Sequence, residues 1–455
     1  MFRTSLVFVS LAALLATACG GSSGGGGDDA SALEIAALRH ELVAAGVEPL
    51  PAPPAVSAEL FVLGQALFFD KILSGNEDVS CATCHLPQFA TSDGRTLPDG
   101  VHGIGFGPSR GGGEMIPRNS PALFSLHLKR QLFWDGHVEE LDDLVLVPPT
   151  VRLLPEMRAV FSPGLEALAA QAMLPPVSRE EMRGLPGENP LGDLGDAYGS
   201  SGGSPQSTTQ VWEELTERLL DLPGYVRLFQ EAYPGVELQD FTFAHVGNAI
   251  AAFEVHAFAR PDSPFQRFVR GDDAALEREQ VKGALEFFRQ GCARCHSGPL
   301  LSDQEFHNTG LPQIGPGLAI SGMNVGWDLG REQTTGRVED RFLFRTPSLL
   351  NVALTGPYGH AGQFAELRDM VAHYEDAVRS NLQYDIQSNV SDPALVTMVT
   401  PNSVQVLATL DPMVEPVIDF DVDAVVEFLR ALTADDATEL SGIVPPSVPS
   451  GLPIF

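Results

Sequence analysis

Apolar residues recur at helical spacing in several separate stretches of the chain. Ala32 to Val43 and Glu59 to Phe69 show it near the start. Glu277 to Arg289, with Leu285, Phe287 and Phe288, and Val422 to Leu432 show it in the second half. No segment sustains the apolar–polar alternation, broken by hairpin turns, that a large sheet requires. The stretches between are long loops. Thr91 to Arg118 is rich in glycine, and Pro186 to Gln210 is polar with Gly and Ser clusters, as a surface insertion would be. A Pro-Gly pair precedes the helical stretch FTFAHVGNAIAAFEVHAF, so a domain boundary is predicted between Tyr233 and Phe241. The pattern predicts a mainly α fold with long loops, in two domains spanning 32–236 and 237–455.

The first 31 residues belong to neither domain. Arg3 is the only charge ahead of an apolar run from Leu6 to Ala18, and small residues lead into Cys19. The run is short for a membrane span and reads as an export signal over residues 1–19. It resembles a bacterial lipoprotein signal, in which Cys19 would carry the lipid, although Ala16 stands where Leu is usual. Ordinary cleavage nearby is the alternative. Residues 20–31, opening on Gly20-Gly21-Ser22-Ser23, read as a flexible tether. Either reading predicts a location outside the cytoplasm, in the periplasm or on a membrane through the lipid.

The chain has 455 residues, 44% apolar, with 28 basic and 59 acidic side chains and a net charge of −31. That length suits two domains with cores of their own. The acidity argues against nucleic acid as a partner and favours a basic protein.

The five cysteines are far from evenly placed. Besides Cys19 they form two motifs: Cys81 and Cys84 before His85, and Cys292 and Cys295 before His296. Cys-x-x-Cys-His is the attachment pattern of c-type haem: two thiols bond the porphyrin vinyl groups and the histidine ligates the iron. Disulfides within so short a loop would be strained and would not require the histidines. A thioredoxin-like site needs one motif at a strand-to-helix turn, and zinc would leave both histidines without a role. Two covalent haems are expected, one in each c-type cytochrome domain.

Four further stretches carry a family resemblance: SCATCH, RNSPALFSLHLKRQLFWDG, LAAQAMLPPVSREEMRG and FRTPSLLNVALTGPYGHAGQF followed by HY. Over roughly residues 55–435 the chain resembles the bacterial diheme cytochrome c peroxidases and their MauG-type relatives. The resemblance implies a peroxidatic first domain and an electron-transfer second domain. Trp134 in FWDG matches the tryptophan between the haems, whose oxidisable ring shortens the electron's path. His137 follows that motif where the family has arginine, which makes any cation contact there pH-dependent. Trp212 and Trp327 match nothing and are expected to pack.

Glu181 matches the acid over the peroxide side of the first haem, where a carboxylate moves a proton between the two oxygens. Glu180 and Glu156 are nearby decoys, and 138–162 is then an insertion relative to shorter family members. The histidine that closes the first haem in regulated peroxidases would fall on Gly111, so an open site is expected, with His102 and Met115 as the shifted alternatives. At the second haem, the position 14 residues beyond His360 is Tyr374, the MauG-type ligand, with Met398 and Met413 as rivals. Asn119, Thr355 and Pro357 match the residues that hold a calcium ion between the domains. His40, His127, His245, His256, His307 and His373 match no motif and are expected at the surface or hydrogen-bonded in the core.

The implied activity is reduction of hydrogen peroxide with electrons from a small donor protein, a c-type cytochrome or a cupredoxin. The alternatives are a MauG-like oxidase that modifies Trp or Tyr of a partner protein, and a non-enzymatic diheme electron carrier. A homodimer is among the assemblies the resemblance allows.

Overall fold

The structure, a computed structural model, describes residues 30–141, 144–149, 151–195, 204–318 and 326–455. The signal-type segment 1–19 with Cys19, and residues 20–29 of the tether, lie outside the described residues. As the apolar spacing predicts, the molecule is mainly helical. Its strands are short: Gln131–Leu132, Val138–Leu141 and Leu144–Leu146 form one small antiparallel sheet, and Phe306–His307 pairs with Phe344–Arg345. The first sheet is built largely from the segment read as an insertion.

Two helix crossings organise the cores, one for each Cys-x-x-Cys-His motif. The Ala58–Phe69 helix starts at Ser57, whose hydroxyl accepts the N–H of Leu60 at 3.1 Å. It stops at Asp70, which turns to accept the N–H of Ile72 at 3.0 Å and so caps the next turn. Its apolar face packs on the Phe243–Ala257 helix, with Gly64 at the crossing: a Cβ there would lie 1.9 Å from the carbonyl oxygen of Ala249. The second crossing repeats the device. The Arg278–Arg289 helix meets Val422–Arg430 at Gly283, where a Cβ would lie 1.8 Å from Ala424 O. Two backbones can come this close only because glycine lacks the side chain that would separate them.

The first core adds the helices Glu166–Ala172, Pro205–Leu220 and Pro223–Ala232 to the first crossing, and the rings of Phe68, Phe69, Phe253 and Phe258 fill it. Each such ring contributes about 1.5–3 kcal/mol by leaving water. The second core gathers around the other crossing with Leu367–His373. Trp212 is buried in the first core with its indole N–H on Met173 O at 2.9 Å, and Trp327 packs on Phe342, so both serve packing.

The helices do not divide between the cores as the 236/237 boundary divides the chain. Phe243–Ala257 lies in the first core, and all of its residues except His256 are buried. A helix buried all round needs cover all round, and Ala58–Phe69, Glu166–Ala172 and Pro205–Leu220 supply it. Conversely, Ala32–Ala44 packs Leu38 and Leu42 into the second core, and Glu41 pairs with Arg289 at 2.9 Å. The end of the chain returns to the first core, where Asp70 accepts bonds from Ser450 Oγ at 2.6 Å and Tyr225 OH at 2.8 Å.

Candidate functional site

The histidines of the two motifs are held in the same way. His85 Nδ1 meets the carbonyl of Thr91 at 2.9 Å, and His296 Nδ1 meets the carbonyl of Leu301 at 2.9 Å. Thr91 and Leu301 both have left-handed backbone, φ 65° and 47°, an uncommon conformation for residues other than glycine. With Nδ1–H donated to a carbonyl, Nε2 is the nitrogen left to ligate a metal. Burial pushes the His85 imidazole down to about 4 and lowers His296, which keeps both neutral, as a ligand must be. None of the four motif cysteines is paired in a disulfide. Burial raises Cys81 and Cys84 and pushes Cys292 up to about 12.

His296, Cys292 and Cys295 open onto a cavity of about 500 Å³, also lined by Trp134, Tyr374 and Met413. That size is within the range of roughly 300–1,000 Å³ typical of cofactor sites. Half-buried thiols, a neutral imidazole with one nitrogen fixed and an apolar cavity fit a thioether-bound haem. Cys295, Asp303 and His307 also come within 4.8 Å of one another. The His307 ring, however, is already clamped between Asp411 at 2.6 Å and Asp303 at 3.1 Å, an arrangement that holds a charged imidazolium.

Trp134 joins this cavity to the first motif. Its indole N–H donates to Asn119 O at 2.9 Å, and the Asn119 N–H donates to His360 O at 2.9 Å. The next residue, Ser120, donates its hydroxyl to Cys84 O at 2.8 Å and lies 3.3 Å from His85 Nδ1.

Glu181 belongs to a single π-type turn, Arg179–Arg183, a feature frequent at functional sites. It keeps partial exposure, yet burial, with a smaller contribution from Glu180, pushes its carboxyl up to about 7. Its charge and that of Arg110 act in opposite senses on Cys84, which puts both beside the first motif. The decoys Glu180 and Glu156 are exposed.

Residues 58–274 match the family described as di-haem cytochrome c peroxidase. The chain is 30% identical over 349 residues to the methylamine utilization protein MauG of Methylorubrum extorquens, covering 76% of this chain and 77% of that one. It is 31% identical over 318 residues to the cytochrome c551 peroxidase of Pseudomonas aeruginosa, covering 70% and 72%. This chain belongs to the di-haem cytochrome c peroxidase family. Solved structures with the same fold include a MauG-like protein associated with microbial copper homeostasis, at TM-score 0.58 and 24% identity over 87% of this chain and 96% of that one. The diheme peroxidase BthA of Burkholderia thailandensis aligns at TM-score 0.57 and 19% identity over 89% and 92%.

Within this family member, Tyr374 and Met413 both line the second cavity, whereas Met398 does not and is 37% exposed. Burial raises the Tyr374 phenol, and the nearby Thr309 side chain partly opposes the rise. His373 is occupied on both nitrogens, by Ser380 Oγ at 2.9 Å and Thr309 O at 2.8 Å. At the first site, His102 turns to Glu188 at 3.1 Å and Asn76 at 3.2 Å, and Met115 packs against the cluster of Leu97, Ile314 and Ala361. Gly111 lies two residues outside Gly113, in the same glycine-rich loop.

Asn119 gives its side-chain N–H groups to Arg95 O at 3.0 Å and Thr96 O at 3.3 Å. Its Oδ1 and the carbonyls of Thr355 and Pro357 accept no hydrogen bond among the described residues. Such oxygens suit a hard cation. His137 stacks on Phe133 at 3.8 Å and reaches Asp135 at 2.5 Å. Arg331 also holds this loop, donating to Asp135 O at 3.0 Å, Gly136 O at 2.7 Å and Glu139 at 2.8 Å.

Sequence reasoning missed several charged side chains around the site. Arg118 bridges Asp135 at 2.8 Å and Asp328 at 2.7 Å. Lys129 and Glu254 are neighbours near the first motif; burial brings Lys129 down to about 7 and Glu254 up to about 8. None stands in a recognisable metal or catalytic spacing, so no signal in the sequence marks them.

Proposed function

We propose that this chain is a di-haem c-type peroxidase that reduces hydrogen peroxide to water (H2O2 + 2 H+ + 2 e− → 2 H2O) with electrons from a small redox protein. The observation that carries this reading is the link from the second cavity through Trp134, Asn119 and Ser120 to the first motif. When bound, the two haems supply the iron at which peroxide reacts and the redox capacity to hold two oxidising equivalents.

The residues divide the remaining work. His85 and His296, each fixed through Nδ1, present Nε2 to the irons. Glu181, desolvated by burial, takes a proton from one peroxide oxygen and returns it to the other. Trp134 conducts between the sites. His102 and Met115 are engaged elsewhere, which favours a first haem open to peroxide without prior reduction. Asn119, Thr355 and Pro357 hold calcium where the loops of the two halves meet. The acidic surface suits a basic cytochrome as donor, and the N-terminal segment suits export and lipid attachment at Cys19.

Tyr374 in the second cavity favours a second reading, a MauG-like oxidation of Trp or Tyr in a partner protein. A phenolate-type ligand stabilises oxidised iron, which thioether ligation does not. One experiment separates the readings: peroxide is added to the diferric protein and optical and EPR spectra are followed. A long-lived oxidised product without donor supports the MauG-like reading. Rapid decay with donor-dependent turnover supports the peroxidase. No reaction before one haem is reduced overturns the open first site.

A further inference from the structure

The glycine-rich loop 99–111 closes on the turn that carries Glu181, and backbone makes the contact. Val101 N–H donates to Glu180 O at 3.0 Å. A Cβ on Gly100 would lie 1.8 Å from that oxygen and 3.1 Å from Glu181 Cα. Any opening of the loop therefore removes the surface against which Glu181 is set.

Ile104 and Gly111 pair across the loop at 3.0 Å and Asp78 accepts the His102 N–H at 2.7 Å, but one buried side chain gathers the loop's carbonyls. Arg110 is 5% exposed, and its guanidinium donates to Asp99 O at 2.8 Å, Gly100 O at 2.6 Å and Gly105 O at 3.2 Å. Gly103 lies flat against it, so close that a Cβ would meet Nε at 2.6 Å. Arginine suits this task because its planar group offers several donors in fixed directions.

Arg110 is in turn held from the second half of the molecule. Arg95 donates to Arg110 O, to Leu97 O at 3.2 Å and to Asp392 at 2.9 Å. Leu97 is buried with Leu395, Ile314 and Ala361. The segment carrying Asp392 and Leu395 is itself stitched down, by Gly315 N–H to Met398 O at 2.9 Å and Thr400 N–H to Gln313 O at 3.0 Å.

We propose that Arg110 is a positioning residue for Glu181, holding the loop 99–111 closed on the Arg179–Arg183 turn, and that the Arg95–Asp392 bridge fastens this loop to the second half. The inference rests on the reading of Glu181 as the proton-transfer group.

The test compares haem-loaded Arg110→Gln, Arg110→Lys, Asp392→Asn and Glu181→Gln by hydrogen exchange of 99–116 and 179–184, and by the rate of peroxide reaction with the diferric protein. Arg110→Gln is expected to speed exchange in both segments about tenfold and to slow the peroxide reaction about 100-fold. The second haem's spectrum should not change, and lysine should recover part of the loss. Asp392→Asn should show smaller changes of the same sign. Glu181→Gln should slow the reaction with exchange unchanged. Wild-type exchange and rate in Arg110→Gln, alongside an impaired Glu181→Gln, overturns the inference alone. A wild-type rate in Glu181→Gln overturns the reading beneath it. Should Arg110→Gln fail to fold, Asp392→Asn decides: faster loop exchange with a slower reaction supports the proposal, and no change in either overturns it.

Discussion

The indole N–H of Trp134 donates to the carbonyl of Asn119 at 2.9 Å, and that bond sets the ring at the junction of both sites. On one side the ring lines the second cavity; on the other, Ser120 follows Asn119 and bonds to the first haem motif. Arg345 N–H holds the Trp134 carbonyl at 2.8 Å, so both faces of the loop are tied down.

Trp134→Phe keeps an aromatic ring and loses both the indole and its hydrogen bond. The orphaned Asn119 carbonyl should cost about 1 kcal/mol of stability. Donor-dependent turnover should fall, while peroxide binding at the first site stays near wild type. Stopped-flow measurement of each haem separately checks this: equal slowing at both sites would remove the relay role.

If Glu181 is the proton-transfer group, the reaction carries a pH signature. The Glu181 carboxyl is pushed up to about 7 from an ordinary 4.5, so below pH 7 it is protonated and cannot accept a proton from peroxide. The rate should therefore rise with pH through about 7 and level off above. Glu181→Gln should flatten that profile and lower the rate by about 10²–10⁴-fold, the usual share of a general acid–base. A profile unchanged in the variant would assign the titration to another group.

How much of this was legible in the sequence depends on whether the cause is local. The two Cys-x-x-Cys-His motifs and the helices leading into each core are local, since ligand spacing and apolar periodicity are written in consecutive residues. The placement of Phe243–Ala257 was not, because a mostly apolar helix buried all round fits either core. The crossing at Gly64 decides it, and that contact joins residues nearly 200 positions apart. Ala32–Ala44 is apolar along most of its length, and nothing in consecutive residues says which core that surface joins. Arg110 was hidden for a different reason: its partners are carbonyls, and a carbonyl leaves no trace in residue identity.

The glycine crossings carry their own prediction. At Gly283 a methyl group would collide with the Ala424 carbonyl, and backbone cannot swing aside as a side chain can. Gly283→Ala should destabilise the second core by about 3 kcal/mol, and Gly64→Ala should do the same to the first. Denaturant unfolding followed at each haem distinguishes them. Each variant should lower the midpoint of its own core first; a loss shared equally by both would mean that the cores unfold as one unit.

Tyr374 and Met413 face the same cavity, and replacing each in turn separates them. Tyr374→Phe removes the phenol oxygen and keeps the ring. If that oxygen ligates the iron, the second haem's optical and EPR spectra should change and its reduction potential should rise, because oxidised iron loses an anionic donor. Met413→Leu should then leave the spectrum unaltered. Burial raises the free phenol, so the bond must form with loss of a proton to solvent, and the ligation should weaken as pH falls. A spectrum indifferent to Tyr374→Phe but altered by Met413→Leu would reverse the assignment, leave thioether as the ligand, and take away the feature that favours a MauG-like oxidation over simple peroxide reduction.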